Sequence, residues 1–309
     1  MIAHRQATAQ SVADLHGGVA RRVDLRAAGL TDADIRSEIE AGRWTRLGRH
    51  TVGITVSIPT GPAQLWWAVW ESGSGAVLDG ESALLAAGLK HWTPTRDEIT
   101  VSLPSGSRGH PLPGVRRRRP RQLGRTIKAG LPRTAPAIAA IRAAQQAVSD
   151  RQAATLLAMA VQQRLVRPGD LLARWREVNR SPRAAFLDTV ILDICDGAQS
   201  LGELDFTALC RAHELPAPSR QVLRNAGKGH YYLDVYWEDL GLHLEIDGFQ
   251  HQLGIAVVDD AIRQNEIALS KDVTLRIPVL GLRMQPEKFM GQVKRGIEQA
   301  RSQPMASVP

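Results

Sequence analysis

Asp234, Glu245 and Asp247 place three carboxylates within the two mostly apolar runs of the stretch YYLDVYWEDLGLHLEIDGFQH, residues 231–251. The alternation of apolar and polar residues predicts two short strands joined by a tight turn. In that register Asp234 lies opposite Glu245, and Asp247 lies on the same face two residues further on. Like charges that face each other repel, so either one carboxyl group takes up a proton or a cation lies between them.

Mg²⁺, or Mn²⁺ in its place, is the cation that these residue types favour. Carboxylate oxygens are hard ligands, and water and a phosphate oxygen complete the shell of such an ion. The backbone carbonyl of Ile246 is a further candidate ligand. His251, a few residues beyond the acidic cluster, is a candidate for moving a proton. The other interpretation is a hairpin with one polar face turned to solvent.

The segments on either side of the hairpin supply further candidates. Ser200 and Glu203 have the spacing of a capping box, so Glu203 is either a helix cap or a helix glutamate that reaches the metal. A helix and then a strand are predicted after the hairpin, and Arg276 in that strand is expected to face the acidic side. There it either neutralises the carboxylates or holds the scissile phosphate. Together with Arg276, the candidate phosphate contacts are Arg263 and Lys271.

A helix-turn-helix pattern occupies residues 1–57. The stretch VARRVDLRAAGLTDADIRSEIEAGRWTRLGRHTVGI is typical of a winged helix-turn-helix, with Thr31 as the cap of the second helix. Acidic residues on that second helix weaken direct reading of bases. Contact with DNA is therefore expected mainly from Arg43, Arg46 and Arg49. The alternative is a small helical module that packs against its neighbour.

Residues 58–199 form a predicted middle domain, helical for the most part, with a basic segment. Residues 105–133 contain nine arginine or lysine residues and no acidic residue. This segment either follows phosphates or forms a solvated edge strand. The candidate phosphate contacts in it are Arg116, Arg117, Arg118 and Arg119.

Composition narrows the class of protein. The chain has 309 residues, of which 23% are charged and 43% hydrophobic, as in folded domains. A net charge of +8 favours a polyanionic partner, with DNA the expected one. Two cysteines, Cys195 and Cys210, exclude a disulfide framework and a four-cysteine zinc site. No apolar run is long enough for a signal peptide or a membrane span, so we expect a cytoplasmic protein with no membrane partner.

Residues 200–292 resemble the very-short-patch-repair-like endonuclease domains of the PD-(D/E)XK nuclease superfamily. The matching motifs are SLGELDF, LPAPSRQVLRNAGKGHYYLDVYW, LHLEIDGFQH and DDAIRQNEIALSKDVTLRIP. The resemblance implies a central mixed sheet flanked by helices. It also implies Asp234 as the metal-binding aspartate, Glu245 as the acid of the second half-motif, Glu203 as the helix glutamate and His251 beside the attacking water.

Asp247 stands where the wider superfamily often has a lysine that assists the activation of water. The very-short-patch-repair branch also lacks that lysine, and His251 is the expected replacement here. Asp247 is expected to assist as a ligand or just outside the metal's direct ligands. In the N-terminal region, VDLRAAGL and IEAGRWTRLGRHTVGI resemble the AbiEi-type antitoxin winged helix. That resemblance implies DNA binding and a possible protein partner from a toxin–antitoxin or defence system.

The sequence therefore predicts an α+β or α/β multidomain protein. A winged helix-turn-helix at 1–57 and a mostly helical middle region at 58–199 precede a restriction-endonuclease-like mixed sheet flanked by helices at 200–309. The expected function is a metal-dependent DNA endonuclease targeted by the N-terminal module. One alternative is an antitoxin-like DNA-binding transcriptional regulator with an inactive nuclease fold, and another is a protein-interaction scaffold.

Overall fold

The chain is mixed α/β and divides into two compact units, Met1–Arg142 and Ala143–Pro309. The boundary falls inside the middle domain expected at 58–199, and the three-domain division remains a prediction. No helix within the described part of the chain is long and apolar enough to cross a membrane. The computed structural model describes residues 2–94, 96–107, 109–196, 204–227, 230–248, 256–269 and 274–302.

The first unit begins with a module of three helices and a three-stranded antiparallel sheet. The sheet has the strand order β1-β3-β2. The helices are α1 (Ile2–Asp14), α2 (Arg22–Ala27) and α3 (Asp32–Glu40). The strands are β1 (Val19–Arg21), β2 (Thr45–Arg46) and β3 (Thr51–Gly53).

A capping box starts α3, as the sequence predicts. The Thr31 hydroxyl accepts a hydrogen bond from the Asp34 amide at 3.1 Å, and the Asp34 carboxylate accepts one from the Thr31 amide at 2.9 Å. Gly29, at φ +96°, ends the segment that follows α2, in a conformation that favours glycine. Leu30 and Ile35 are buried in the core of the module, so the two helices are fixed by local signals and by packing.

The rest of the first unit contains a five-stranded sheet of order β6-β5-β4-β8-β7. Its helices are α4 (Pro62–Ser72), α5 (Gly80–Ala86) and the start of α6 (Pro136–Gln146), which spans the unit boundary. Its strands are β4 (Val77–Leu78), β5 (Ile99–Ser102), β6 (Val115–Arg118), β7 (Thr126–Ile127) and β8 (Arg133–Thr134). The prediction of a mostly helical middle region did not anticipate this five-stranded sheet. Three of its strands have only two residues each, and β6 is largely arginine, so the sequence gives little sign of them.

Asp79 joins the elements of this sheet through one buried carboxylate. It accepts hydrogen bonds from the Gly80 amide at 2.8 Å and from the hydroxyls of Ser102 at 2.5 Å and Thr134 at 2.8 Å. Arg142 Nη1 donates a further bond at 2.9 Å, and the Asp79 side chain is only 1% exposed. The carboxylate therefore links β4, β5, β8 and α6, and its charge is compensated inside the protein.

The second unit carries the four-stranded sheet, of order β12-β11-β10-β9. β12 runs parallel to β11, and the other pairs are antiparallel. Its strands are β9 (Arg220–Gly227), β10 (His230–Trp237), β11 (Leu242–Asp247) and β12 (Leu275–Pro278). Besides α6, its helices are α7 (Asp150–Gln162), α8 (Pro168–Arg176), α9 (Ala184–Cys195), α10 (Phe206–Ala212), α11 (Ala256–Leu269), α12 (Val279–Met284) and α13 (Pro286–Ser302).

The predicted hairpin and its register are confirmed in β10 and β11. Trp237 pairs with Leu242, and Asp234 pairs with Glu245. A short 3-10 turn, Glu238–Leu240, connects the strands. The apolar face packs into the core of the unit; its most buried residues are Leu233, Val235, Trp237, Leu244 and Ile246. The opposite face carries the carboxylates, so burial of the apolar residues determines which side chains meet on the polar side.

We expect Asp79→Ala to lower the free energy of unfolding by about 3–5 kcal/mol, because it leaves a guanidinium and two hydroxyls without their acceptor in a buried site. Asp32→Ala is the matched control, since its ion pair with Arg26 is about half exposed, and it should cost less than about 1 kcal/mol. Urea denaturation followed by circular dichroism measures both. Equal effects of the two substitutions would contradict a structural role for Asp79.

Candidate metal centre

Three side chains on the polar face of the β10–β11 hairpin can bind one cation. Asp234, His243 and Glu245 each offer one ligand atom, and these three atoms lie within 4.8 Å of one another. The register explains the cluster: Asp234 pairs directly with Glu245, and His243 pairs with Tyr236, two residues along the same face. Asp234 is buried, whereas His243 and Glu245 are partly exposed, so the cluster opens on one side to solvent.

The separations in the cluster suit a hexacoordinate cation. His243 Nε2 lies 3.1 Å from Asp234 Oδ1. Neighbouring ligands at right angles, with bonds of about 2.1 Å, are about 3.0 Å apart, and opposite ligands are about 4.2 Å apart. Three atoms that bind one such ion are therefore no farther apart than about 4.2 Å, against the 4.8 Å within which they lie here.

His243 is held in its orientation from two sides. Its ring stacks on Tyr236 with 4.5 Å between centroids and 13° between planes. The Arg220 guanidinium lies over the Tyr236 ring, 4.7 Å from its centroid. The second ring nitrogen, Nδ1, lies 3.4 Å from the Thr274 hydroxyl. A histidine that binds a metal through one nitrogen usually has such a polar neighbour at the other.

Two arginines neutralise the carboxylates from the neighbouring strands. Arg224 Nε in β9 lies 3.1 Å from Asp234 Oδ2, and Arg276 Nε in β12 lies 2.9 Å from Glu245 Oε2. The hydrogen bond with Asp234 raises the pKa of the Arg224 guanidinium. Across the sheet, the two neighbouring acids thus lie between Arg224 on one side and Arg276 on the other. Arg276 faces the acidic side, as expected from the sequence, and its side chain is 64% exposed.

Asn265 of α11 fixes the backbone from which Arg276 extends. Its side-chain amide donates to the Arg276 carbonyl at 2.8 Å and accepts from the Arg276 amide at 2.9 Å. Asn265 is only 2% exposed, and its amide also donates to Gln292 of α13 at 3.1 Å. A side chain that replaces a missing neighbour strand in this way keeps β12 in register beside Glu245.

The other predicted residues of the site have different positions. Asp247 pairs with Tyr232 at the end of β11 and is not part of the three-residue cluster. Ile246 pairs with Leu233 on one side and Ile277 on the other, so its carbonyl lies in the plane of the sheet. The role of that carbonyl as a ligand remains a prediction.

Several predicted contacts lie outside the residues that the structure describes. They are Glu203, His251 and Lys271. Arg263 lies on α11 and is exposed. The proton-moving role of His251 and the two alternatives for Glu203 therefore remain predictions.

Ion pairs surround the helix α3 of the first unit. Glu38, which is buried, pairs with Arg43, and Asp34 pairs with Arg5 at 2.5 Å. These pairs and the Arg26–Asp32 pair neutralise most of the acidity of α3. Arg43, a predicted DNA contact, is therefore engaged within the protein.

Arg46 and Arg49 belong to the β2–β3 hairpin. Both side chains are exposed. The buried Glu71 of α4 accepts hydrogen bonds from the amides of Arg49 at 2.9 Å and His50 at 2.7 Å. Trp67 of α4 donates to the Leu47 carbonyl at 3.0 Å. The tip of the hairpin is therefore held by α4, while the two arginine side chains extend from it.

The arginine run in β6 does not form one continuous surface. β6 is an edge strand, and successive side chains in a strand alternate between faces. Burial, and then the neighbouring charge of Arg116, lower the pKa of Arg118. Arg117 Nη1 is buried with no hydrogen-bond partner among the described residues, and Arg119 donates to the Ser107 carbonyl at 3.1 Å. The solvated-edge and phosphate-binding interpretations both remain open for this strand.

Sequence reasoning missed His243 as a member of the site. The available signal was its alternation with Glu245, which puts both on one face, combined with the register that brings Tyr236 opposite it. It also missed Arg224, because β9 was not assigned as a strand and its pairing with β10 has no local signal. Both residues contact Asp234.

Mn²⁺ binding tests the cluster directly. We expect the protein to bind Mn²⁺ in a calorimetric titration and Asp234→Ala to weaken that binding by at least about 10–100-fold, since the loss of a ligand costs no less than the loss of an outer partner. Asp239→Ala is the matched control, because Asp239 is an exposed aspartate in the turn of the same hairpin. Identical affinities of the wild type and Asp234→Ala would show that the cluster does not bind the ion.

Comparisons with known proteins do not assign the chain to a family. No family model matches it, and no curated protein is significantly similar to it. Among solved structures, the chain is similar to the RV2827C protein from Mycobacterium tuberculosis, with 20% sequence identity and a TM-score of 0.37. That match covers 61% of this chain and 76% of the other.

Proposed function

We propose that the second unit is a metal-dependent nuclease domain that hydrolyses phosphodiester bonds in DNA. The observation that carries the proposal is the convergence of Asp234, His243 and Glu245 on one side of a four-stranded sheet. The proposal includes a restriction-endonuclease-like arrangement of this sheet and its helices, as the resemblance of residues 200–292 implies. A mixed sheet with one apolar and one acidic face supports it.

Each residue of the cluster has a separate role in this proposal. Asp234 and Glu245 hold a Mg²⁺ or Mn²⁺ ion, and His243 contributes a nitrogen ligand. Such an ion activates a water molecule and offsets charge on the phosphate oxygens. Arg276, which is exposed beyond Glu245, is positioned to exchange its carboxylate partner for a phosphate. His251 remains the predicted group that moves the proton, with Asp247 beside the ligands.

The first unit is proposed to hold the DNA. The α2–α3 pair followed by the β2–β3 hairpin supports a winged helix-turn-helix of the AbiEi antitoxin type. The hairpin arginines, Arg46 and Arg49, are exposed, and exposed cations of this kind supply the part of DNA affinity that does not depend on base sequence. The net charge of +8 acts in the same direction. A protein partner from a toxin–antitoxin or defence system remains a prediction.

Cleavage of supercoiled plasmid and of labelled duplex in Mg²⁺ or Mn²⁺ tests the nuclease proposal. We expect EDTA to abolish cleavage and Asp234→Ala to slow it at least about 100-fold, since a bound metal supplies several kcal/mol of transition-state stabilisation. Asp239→Ala should cleave at the wild-type rate. Cleavage that survives both EDTA and Asp234→Ala would come from another protein or another site, and absence of cleavage by the wild type would refute the proposal.

A second candidate function is supported by the ion pairs at the site. Arg224 and Arg276 already neutralise Asp234 and Glu245, so the sheet is electrostatically satisfied by protein groups alone. That arrangement suits an inactive nuclease fold in an antitoxin-like DNA-binding regulator. Asp247, in the position where lysine often assists catalysis, is compatible with it.

The regulator candidate predicts sequence-specific binding to DNA upstream of its own gene. In a gel-shift assay, binding should survive Asp234→Ala and fall by about tenfold or more in Arg46→Gln/Arg49→Gln, since each lost phosphate contact weakens binding at moderate salt. Wild-type plasmid cleavage should be absent. Equal affinity for the upstream fragment and for unrelated DNA of the same length would rule this candidate out.

A further inference from the structure

A wide basic cleft lies within the first unit. Its volume is about 970 Å³, at the upper end of the range of about 300–1,000 Å³ for ligand pockets. It is lined by the start of α2, the β2–β3 hairpin, the end of α4 and the β7–β8 segment. Five arginines or lysines and His50 line it, and none of its lining residues is acidic.

Two of these cations are neutralised by neighbouring acids. Arg21 forms two hydrogen bonds with Asp24, both 2.8 Å, and lies over the Trp70 ring. Arg26 pairs with Asp32 at 3.2 Å. The Trp70 ring lines the cleft. It also packs against the Trp66 ring, with 5.1 Å between the centroids.

The other three cations have no such partner. Within the described part of the chain, no carboxylate lies within 4.0 Å of the side-chain nitrogens of Arg22, Arg49 or Lys128. They come from α2, the β2–β3 hairpin and the β7–β8 segment, three elements that are distant in sequence and meet at one cleft. Three unpaired positive charges around one concave site create a strong local field for an anion.

Arg22 is a partly buried cation of this cleft. Burial, and then the nearby charge of Arg46, lower the pKa of its guanidinium. The attraction from Asp32 and Glu71 acts in the opposite direction but is smaller. A bound anion would offset both effects by its attraction for the guanidinium.

The helix α3 is a much weaker binding surface for a polyanion than the cleft is. It carries Asp32, Asp34, Glu38 and Glu40, and its own basic residue is Arg36. An arginine or lysine without a carboxylate partner is a better phosphate contact than one already paired with an acid. The cleft is therefore the stronger anion site of the two.

We propose that this cleft binds the phosphate groups of a nucleotide ligand, supplied either by the backbone of a single nucleic-acid strand or by a free mononucleotide. Arg22, Arg49 and Lys128 contact the phosphates, and the walls of the cleft receive the sugar and base. The site lies wholly in the first unit, so the proposal does not rest on nuclease activity. It shares Arg49 with the DNA contacts proposed for the β2–β3 hairpin, and Arg46→Gln, which leaves the cleft lining unchanged, separates the two.

Fluorescence anisotropy with a labelled oligothymidylate of about ten nucleotides, in EDTA, tests the proposal on the full chain. We expect the triple variant Arg22→Gln/Arg49→Gln/Lys128→Gln to bind at least about tenfold more weakly at 0.1 M salt than the wild type. The slope of log affinity against log salt should become shallower by about 2, since each of the three phosphate contacts to a single strand contributes about 0.7. Competition with thymidine monophosphate distinguishes the two sources of phosphate. Displacement at micromolar concentrations indicates a mononucleotide site, and its absence indicates a strand site.

The matched control is Arg36→Gln/Arg96→Gln/Arg121→Gln, which removes three exposed cations of the same unit outside the cleft. It should bind within about twofold of the wild type and keep most of the salt slope. Circular dichroism and the melting temperature establish that both triple variants are folded. Equal losses in the two triple variants would overturn the proposal, as would a wild type that binds neither the oligonucleotide nor the mononucleotide.

Discussion

Burial of one face of a hairpin forces two like charges together on the other. Leu233, Val235 and Leu244 are buried in the core of the second unit. A shift of one residue would exchange the two faces of a strand. The register that keeps these apolar residues buried therefore places Asp234 opposite Glu245. The rest of the site is arranged around that repulsion.

The neighbouring strands supply the compensation. Arg224 and Arg276 extend from the two outer strands toward the acids between them, and His243 adds a third group that can carry positive charge. A cation bound by Asp234, His243 and Glu245 would take the place of the hydrogen bond between His243 and Asp234 and leave both arginines in position. The same geometry is thus compatible with both proposed functions, an active nuclease and an inactive nuclease fold, which differ in whether the ion binds.

Features determined by neighbours in sequence were predictable here. The α3 cap depends on Thr31 and Asp34, three residues apart, and the hairpin register depends on alternation across a four-residue connection. The Asp79 network was not predictable, because its partners Thr134 and Arg142 are 55 and 63 residues away. Arg224, which contacts Asp234, was not predicted for a similar reason: no local pattern marks β9 as a strand.

Contacts made in the fold also explain why single arginines were hard to assign. Arg43 and Arg49 look alike in sequence, both being basic residues near the β2–β3 hairpin. In the fold, Arg43 is held by the buried Glu38, whereas the backbone of Arg49 is held by Glu71 and its side chain stays exposed. Residue type alone does not distinguish an arginine used for packing from one that is available to a ligand.

The contact of Glu71 with the β2–β3 hairpin has an entropic consequence. A β-carbon added at Gly48 would lie 2.3 Å from the Glu71 carboxyl carbon, so the hairpin backbone is seated directly on that carboxylate. Ordering a loose loop is a main cost of association. The β2–β3 hairpin would lose little backbone freedom on binding a ligand, because it is already held in place. The entropic cost of binding a ligand through Arg46 and Arg49 would therefore come from ordering their side chains rather than from folding of the loop. Gly48 allows the close approach of the hairpin backbone to Glu71, because it has no β-carbon.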